Sequence, residues 1–315
     1  MLAMVYTAPL ELQMLEVEDP VPGEGELLVE VEAAGICGSE LEGFASESPF
    51  RIPPLIMGHE FAGRRVDDGS PVVINPIVSC GSCDLCRRGL PNVCRRRQIL
   101  GIQRSGGFAE RVAVPAANCY PMPAAMAATT AALVEPLANA IHAMRLALGE
   151  DPLPLSVGVI GAGPLGFFSA LTAKDHGIGH VAVADRAPER RELATATGAD
   201  VVSESLEGEF DVVLDAVGSA ATRAASVQVL RPGGTAVWIG LHGPEAGFDG
   251  QALIRQEKRV LGTFAYSDLD FRVAIERAAR LSPGWVATRP LAEGIDAFHE
   301  LLGGDLRSIK TLLVP

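Results

Sequence analysis

Along the first part of the chain, apolar and polar positions alternate. Glu26-Leu27-Leu28-Val29-Glu30-Val31-Glu32 is the clearest case. A period of two predicts antiparallel strands with one wet face. Pro20, Pro22, Gly23 and Gly25 mark turns between them. Residues 72 to 78 read as a strand, and the alternation resumes after Gly106-Gly107-Phe108-Ala109-Glu110. The alanine-rich tract 124–132 reads as a connecting loop and a helical turn. Leu133-Val134-Glu135-Pro136 then leads into a helical pattern ending near Gly149. Pro136 suits the first helical position, which leaves Glu135 just outside the helix start.

From Ser156 the pattern changes. Strands are expected at 157–160, 181–184, 211–214, 235–240 and 259–264, and helices at 164–175, 188–197 and 219–230. Gly198 and Pro232-Gly233-Gly234 serve as stop signals. A further helix at 268–281 and a helix-and-strand stretch to Pro315 close the chain. Strand–helix alternation of this length predicts a parallel, doubly wound sheet. Trp238 and Trp285 read as core residues.

The first strand of that series feeds Gly161-Ala162-Gly163-Pro164-Leu165-Gly166. Gly161, Gly163 and Gly166 fit G-x-G-x-x-G: a sharp turn, a close approach for pyrophosphate, and close helix–strand packing. The bare amides of the helix that Pro164 opens, Leu165 among them, face the phosphates. Asp185 ends the next strand, 19 residues past Gly166, where a partner for a ribose hydroxyl is expected. Its carboxylate repels a 2′-phosphate and favours NAD. Arg186, Arg190 and Arg191 lie close by and keep NADP open, unless they form only a solvated helix face.

Composition narrows the classes. With 315 residues, 48% hydrophobic and 21% charged, the chain reads as a soluble globular protein of about two domains. A formal charge of −13 argues against nucleic acid or an anionic membrane as the main partner. Residues 152–173 carry no formal charge and are long enough to span a bilayer. Pro152, Pro154, Gly158 and the fingerprint glycines instead read as strand, turn and helix. No basic segment followed by an apolar run opens the chain, so the cytoplasm is the expected compartment. Lysine occurs only at Lys174, Lys258 and Lys310.

Of six cysteines, four stand as Cys80, Cys83, Cys86 and Cys94, spaced C-x2-C-x2-C-x7-C. Four thiolates on one lobe can close a tetrahedral shell around a structural zinc, with an iron–sulfur cluster as the chemical competitor. Arg87, Arg88, Arg95, Arg96 and Arg97 flank the cluster and offset its charge or form a solvated face. Cys119 reads as an inert core cysteine. Gly35-Ile36-Cys37-Gly38-Ser39-Glu40 is followed, 22 residues after the cysteine, by Gly58-His59-Glu60. Singly, a buried cysteine is a small hydrophobe and a histidine a satisfied polar group. Together they offer a thiolate, an imidazole and a carboxylate to zinc. Glu135, taken alone, is a carboxylate favoured by a helix dipole.

In this order, and with Val134-Glu135-Pro136-Leu137-Ala138, the motifs resemble the zinc-dependent medium-chain alcohol dehydrogenase family over nearly the whole chain. The Glu-Pro-Leu-Ala segment looks most like its polyol, sorbitol and threonine dehydrogenase branches. The resemblance implies an α/β protein: a doubly wound parallel Rossmann domain, 137–264, plus a mainly β, GroES-like catalytic domain, 1–136, to which 265–315 returns. It implies a catalytic zinc reached by Cys37, His59 and Glu135, with Glu60 an alternative or supporting carboxylate. Zn²⁺ with Cys37 and Glu135 is neutral; a second permanent carboxylate would blunt its Lewis acidity. Ser39 becomes the candidate to take the alcohol proton into a relay, or else a residue capping the next helix. The implied activity is zinc-dependent hydride transfer from a polyol, sugar or other secondary alcohol to NAD(P), in a cleft between domains of a homodimer or homotetramer. Aldose or simple-alcohol oxidation is the neighbouring alternative. A non-catalytic dinucleotide-binding sensor or structural subunit is the alternative of another class. The chain departs from its relatives at Glu42, where many carry histidine, at Glu40, where aspartate is usual, and in a short Gly63–Val73 segment.

Overall fold

The computed structural model describes residues 1–46, 48–149 and 155–315; Pro152 and Pro154, invoked against a membrane span, lie outside the described residues. Among the described residues no helix is long and apolar enough to cross a membrane. The chain divides into two compact units, Met1–Glu135 with Ser267–Pro315, and Pro136–Tyr266.

The first unit opens with strands β1 (Leu2–Ala8), β2 (Glu11–Glu16) and β3 (Glu26–Gly35), then helix α1 (Gly38–Ala45). Strands β4 (Leu55–Ile56), β5 (Glu60–Arg65), β6 (Pro71–Ile74) and β7 (Ile77–Val78) follow. The single strand expected at 72–78 is therefore two. Pro76 lacks a ladder donor, and the Asn75 side chain accepts from Ile77 N at 3.0 Å, turning the chain there. Helix α2 (Asp84–Arg87), strands β8 (Gln98–Ile99), β9 (Arg111–Pro115) and β10 (Cys119–Pro121), and the short helix α3 (Ala128–Ala131) complete this stretch. Helix α4 (Val134–Leu148) carries the chain onward.

In the second unit β11 (Ser156–Ile160), α5 (Pro164–Asp175), β12 (His180–Ala184), α6 (Pro188–Ala194), β13 (Val201–Ser203), β14 (Phe210–Asp215), α7 (Ala220–Gln228), β15 (Leu230–Trp238), α8 (Gly250–Arg255) and β16 (Arg259–Gly262) alternate. All pairings are parallel, in the order β13-β12-β11-β14-β15-β16, the doubly wound arrangement with its switch point beside β11. Strand β13 and helix α8 carry too little periodicity to be read from sequence. Helix α8 is instead announced by its cap, Asp249, which accepts from Gln251 N and Ala252 N. The core of this sheet is Val157, Val159, Val183, Leu214 and Val237, all fully buried. Trp238 is half-buried and packs against the buried cluster of Phe210, Val213 and Leu230, while Trp285 is half-buried.

The chain then returns to the first unit through α9 (Asp268–Ala278), β17 (Val286–Pro290), α10 (Gly294–Leu302) and β18 (Lys310–Val314). Ser267 and Asp270 cap α9 reciprocally, side chain to backbone in each direction. Strand β18 pairs antiparallel with β3 and parallel with β17 inside a seven-stranded sheet. The last residues of the chain thus lie beside the strand that leads to Cys37. Phe298 of α10 packs edge-on against Phe44 and Phe108, each at 5.8 Å between centroids, and all three rings are fully buried.

Candidate functional site

Sheet register brings Cys37 and His59 together. Gly35, the last residue of β3, pairs with Glu60, the first of β5, so the residues just beyond each strand converge. The ligand atoms of Cys37, His59 and Glu60 all lie within 4.8 Å of one another. Glu135 stands outside that group; it is buried, in the first turn of α4. The helix begins at Val134, one residue before Glu135, so the expectation that Pro136 would open it is corrected. Proline lacks only a donor that the first turn leaves free anyway, so it sits there without breaking the helix.

Glu40 organises the histidine. It is the third residue of α1, whose N-cap is Cys37, and its carboxylate folds back to accept from Cys37 N at 2.9 Å. Its other oxygen accepts from Gly58 N at 2.9 Å and His59 N at 3.0 Å, and faces His59 Nδ1 at 2.8 Å. With Nδ1 held this way, Nε2 is the nitrogen left for a metal. Burial pushes the Glu40 carboxyl up, but the charge and hydrogen bond of His59 outweigh it and hold it below the usual range. Burial likewise pushes His59 down, and the opposing charges of Glu40 and Cys37 raise it well above its ordinary value. In the sequence Glu40 stands out only as a departure from the usual aspartate. The signal available was its position three residues past an N-cap.

Glu60 is committed elsewhere. Lys310 Nζ donates to its Oε1 at 2.5 Å and lies against Oε2 as well. Ser39 falls inside the first turn of α1, so it is not the cap; its hydroxyl donates toward Cys37 Sγ at 3.5 Å. Arg51 Nη2 donates to Ser39 Oγ at 3.3 Å. Glu42 is exposed on α1. Neither Lys310 nor Arg51 carries a motif that would single it out in the sequence.

Cys80, Cys83, Cys86 and Cys94 form a second group. Their sulfurs are separated by 3.9 Å (Cys80–Cys86), 3.5 Å (Cys83–Cys86), 3.8 Å (Cys83–Cys94) and 3.4 Å (Cys80–Cys94). A tetrahedral zinc with bonds of about 2.3 Å requires edges of about 3.8 Å, so the group fits that ion. The backbone N–H groups of Ser82 and Cys83, with Cys94 and Arg96, hold the Cys80 thiol down to about 5, while burial pushes Cys86 up to about 11. Four such groups in contact ionise together only around a cation. Of the five flanking arginines, Arg96 donates to Cys80 Sγ at 3.3 Å; Arg95 pairs with Asp84, Arg97 donates to the Cys94 carbonyl, and Arg87 and Arg88 are exposed. Cys119 is only half-buried, and burial pushes its thiol up to about 11, consistent with an inert group.

In the second unit the glycine turn follows β11. Gly161 has φ +92°, and a Cβ at Gly166 would meet the Gly161 carbonyl oxygen at 1.7 Å, so neither position accepts a side chain. Gly163 caps α5, ahead of Pro164 and Leu165, and the space where its Cβ would lie is open. That opening at a helix N-terminus fits a pyrophosphate. Asp185 accepts from Ala162 N at 2.7 Å and from Ala187 N at 2.9 Å, which turns its carboxylate toward the loop. Arg186 is exposed and Arg190 half-buried, whereas Arg191 Nη1 donates to the carbonyls of Asp185 and Arg186.

Residues 23–124 match the alcohol dehydrogenase GroES-like domain, and residues 164–280 match the zinc-binding dehydrogenase family. The chain is 33% identical to L-galactonate-5-dehydrogenase of Escherichia coli K12, over 85% of this chain and 84% of that protein. Its fold matches a short chain alcohol dehydrogenase from E. coli CFT073 solved with NADH, at TM-score 0.92 and 27% identity, covering 100% of this chain and 99% of that one. It also matches a zinc-binding dehydrogenase from Sinorhizobium meliloti 1021 bound to NADP, at TM-score 0.91 and 29% identity, with coverage of 100% and 99%.

Proposed function

The chain belongs to the zinc-dependent medium-chain alcohol dehydrogenase family, and on that premise we propose that it oxidises a secondary hydroxyl of a polyol or sugar with NAD as hydride acceptor. The observation that carries this reading is the convergence of Cys37, His59 and Glu60, with His59 Nδ1 engaged by Glu40. Cys37, His59 and Glu135 would hold the catalytic zinc, and Glu60, paired with Lys310, would be the supporting carboxylate. The bound ion supplies Lewis acidity that lowers the pKa of the substrate hydroxyl. Ser39 takes the hydroxyl proton. Arg51 occupies one lone pair of its oxygen and leaves the other free to accept. Glu42 is exposed where many members of the family carry histidine, and Ser39 is itself partly exposed, so the proton would leave Ser39 to solvent without a histidine relay.

Residues 1–136 with 265–315 form the catalytic domain, and 137–264 the dinucleotide domain. Gly161, Gly163, Pro164, Leu165 and Gly166 cradle the pyrophosphate, and Asp185 receives the ribose. Arg186 and Arg190 frame the adenosine side of that site. Cys80, Cys83, Cys86 and Cys94 hold the structural zinc. The reading includes a cytoplasmic homodimer or homotetramer. The test is nicotinamide reduction by zinc-loaded protein with NAD and NADP, each against polyols, aldoses, threonine and simple alcohols. NAD-dependent turnover of a polyol or sugar supports the proposal. Silence across the panel from protein that binds zinc and dinucleotide would favour a non-catalytic role.

A further inference from the structure

Arg51 is a buried cation with which no carboxylate among the described residues forms an ion pair. Its side chain follows α1 and is 7% exposed. Nη2 donates to Ser39 Oγ at 3.3 Å, Nε has no hydrogen-bond partner, and no carboxylate among the described residues pairs with it. Its charge acts on Glu40, yet both oxygens of that carboxylate are taken by Cys37 N, Gly58 N, His59 N and His59 Nδ1. Burying a guanidinium without a paired anion is unfavourable, so such a group persists where an anion joins it at work.

The seat of the guanidinium is built for it. Gly43 on α1 has no side chain, and a Cβ there would lie 2.7 Å from both Cδ and Nη1 of Arg51. The guanidinium therefore rests on the helix backbone with its Nη2 turned to Ser39. Ser39 in turn donates toward Cys37 Sγ at 3.5 Å. Two hydrogen-bond lengths thus separate the cation from the ligand sulfur, a span bridged by a few carbon atoms of an open-chain substrate.

We propose that Arg51 is a specificity-determining residue that binds an anionic end, carboxylate or phosphate, carried on the polyol whose hydroxyl is oxidised. This rests on the reading of Cys37, His59 and Glu135 as the substrate site. A planar guanidinium binds either anion through paired N–H donors, and a neutral polyol offers it no charge. The substrate class is then an aldonate or a polyol phosphate rather than a neutral sugar alcohol.

The test is calorimetric titration of zinc-loaded protein with NADH bound, so that no turnover occurs, using L-galactonate, glucitol 6-phosphate and glucitol as probes. Either anion binding at least about tenfold tighter than glucitol is expected, and the tighter of the two identifies the anionic group. Arg51→Gln removes that preference, Arg51→Lys keeps part of it, and Gly43→Ala weakens it by displacing the guanidinium. In parallel, the ratio of kcat/KM for anionic over neutral substrate falls by about 30-fold in Arg51→Gln. Equal affinity of the unaltered protein for anions and glucitol, or a preference that survives Arg51→Gln, overturns the proposal. Turnover without anion preference would do so while leaving the dehydrogenase reading intact. Arg51-dependent anion binding without turnover of any alcohol would sustain the anion site and sink that reading instead.

Discussion

Lys310 and Glu60 form an ion pair across 250 residues of sequence, with each side chain only 1% exposed. Lys310 opens the last strand and Glu60 opens β5, immediately after His59. Gly35 lies between them in space: a Cβ there would meet Glu60 Oε2 at 2.2 Å and Lys310 Cε at 2.9 Å. Burial pushes the ammonium toward neutrality, but the charges of Glu60, Cys37 and Glu40 reverse that and raise its pKa. The pair fastens the C-terminal strand to the metal-ligand cluster and keeps the Glu60 charge balanced.

Lys310→Met should therefore leave Glu60 as an unpaired buried carboxylate and cost about 3–5 kcal/mol of stability. The double variant Glu60→Gln/Lys310→Met should recover much of that loss. Urea unfolding of the four members of the cycle measures the coupling. Additive effects would show that the pair contributes nothing specific.

The two cysteine groups should separate cleanly. Cys37→Ala is expected to abolish turnover, lower zinc from two ions per chain to one, and leave the fold intact by circular dichroism. Cys83→Ser should remove the other ion and lower the melting temperature, because a closed four-sulfur site contributes directly to folding. Metal content by atomic emission, read beside the melting curves, distinguishes them. A Cys83→Ser protein with both ions and an unchanged Tm would remove the structural-zinc assignment.

Zinc uptake should depend on pH with a defined sign. In metal-stripped protein the raised pKa of His59 means that its proton stabilises the fold fully below the ordinary value of 6.5. That contribution is lost as pH rises through the raised value. Zinc must displace the same proton, so affinity at this site should climb with pH up to that value, by about tenfold per unit for each proton released. Competition with a chelator between pH 6 and pH 8 measures the slope. A flat response in protein that lacks Cys83 would mean that His59 is not a ligand.

Asp185→Ser should shift cofactor choice toward NADP. The carboxylate that repels a 2′-phosphate disappears, and Arg186 remains beside the site; the ratio of kcat/KM for NADP over NAD should rise by about 10–100-fold. Both cofactors should also bind somewhat less well, since Asp185 accepts the Ala162 N–H that shapes the glycine turn. An unchanged ratio would place the choice elsewhere.

Much of the architecture was legible because it is written in local pattern. The helix at 164–175 agrees with α5 residue for residue, since proline, the glycine turn and the apolar run all act within one segment. The missed β13 and α8 are short, and their ordering depends on neighbours supplied by distant residues. At Pro136 the sequence rule placed the helix start two residues late, because proline is tolerated anywhere in a first turn. The eight metal-ligand candidates were readable by residue type and spacing, and the structure groups seven of them into two clusters.

Sequence alone determined the two kinds of unit, the glycine turn for a dinucleotide, and which side chains can ligate zinc. Each of these follows from chemistry confined to a few consecutive residues. Only the tertiary structure decided which charges answer one another. Glu40 fastens His59, Lys310 neutralises Glu60, and Arg51 reaches Ser39 with no ion-paired carboxylate among the described residues. Those partnerships depend on strand register and on burial, and a residue's charge acquires its meaning only when the fold removes it from water.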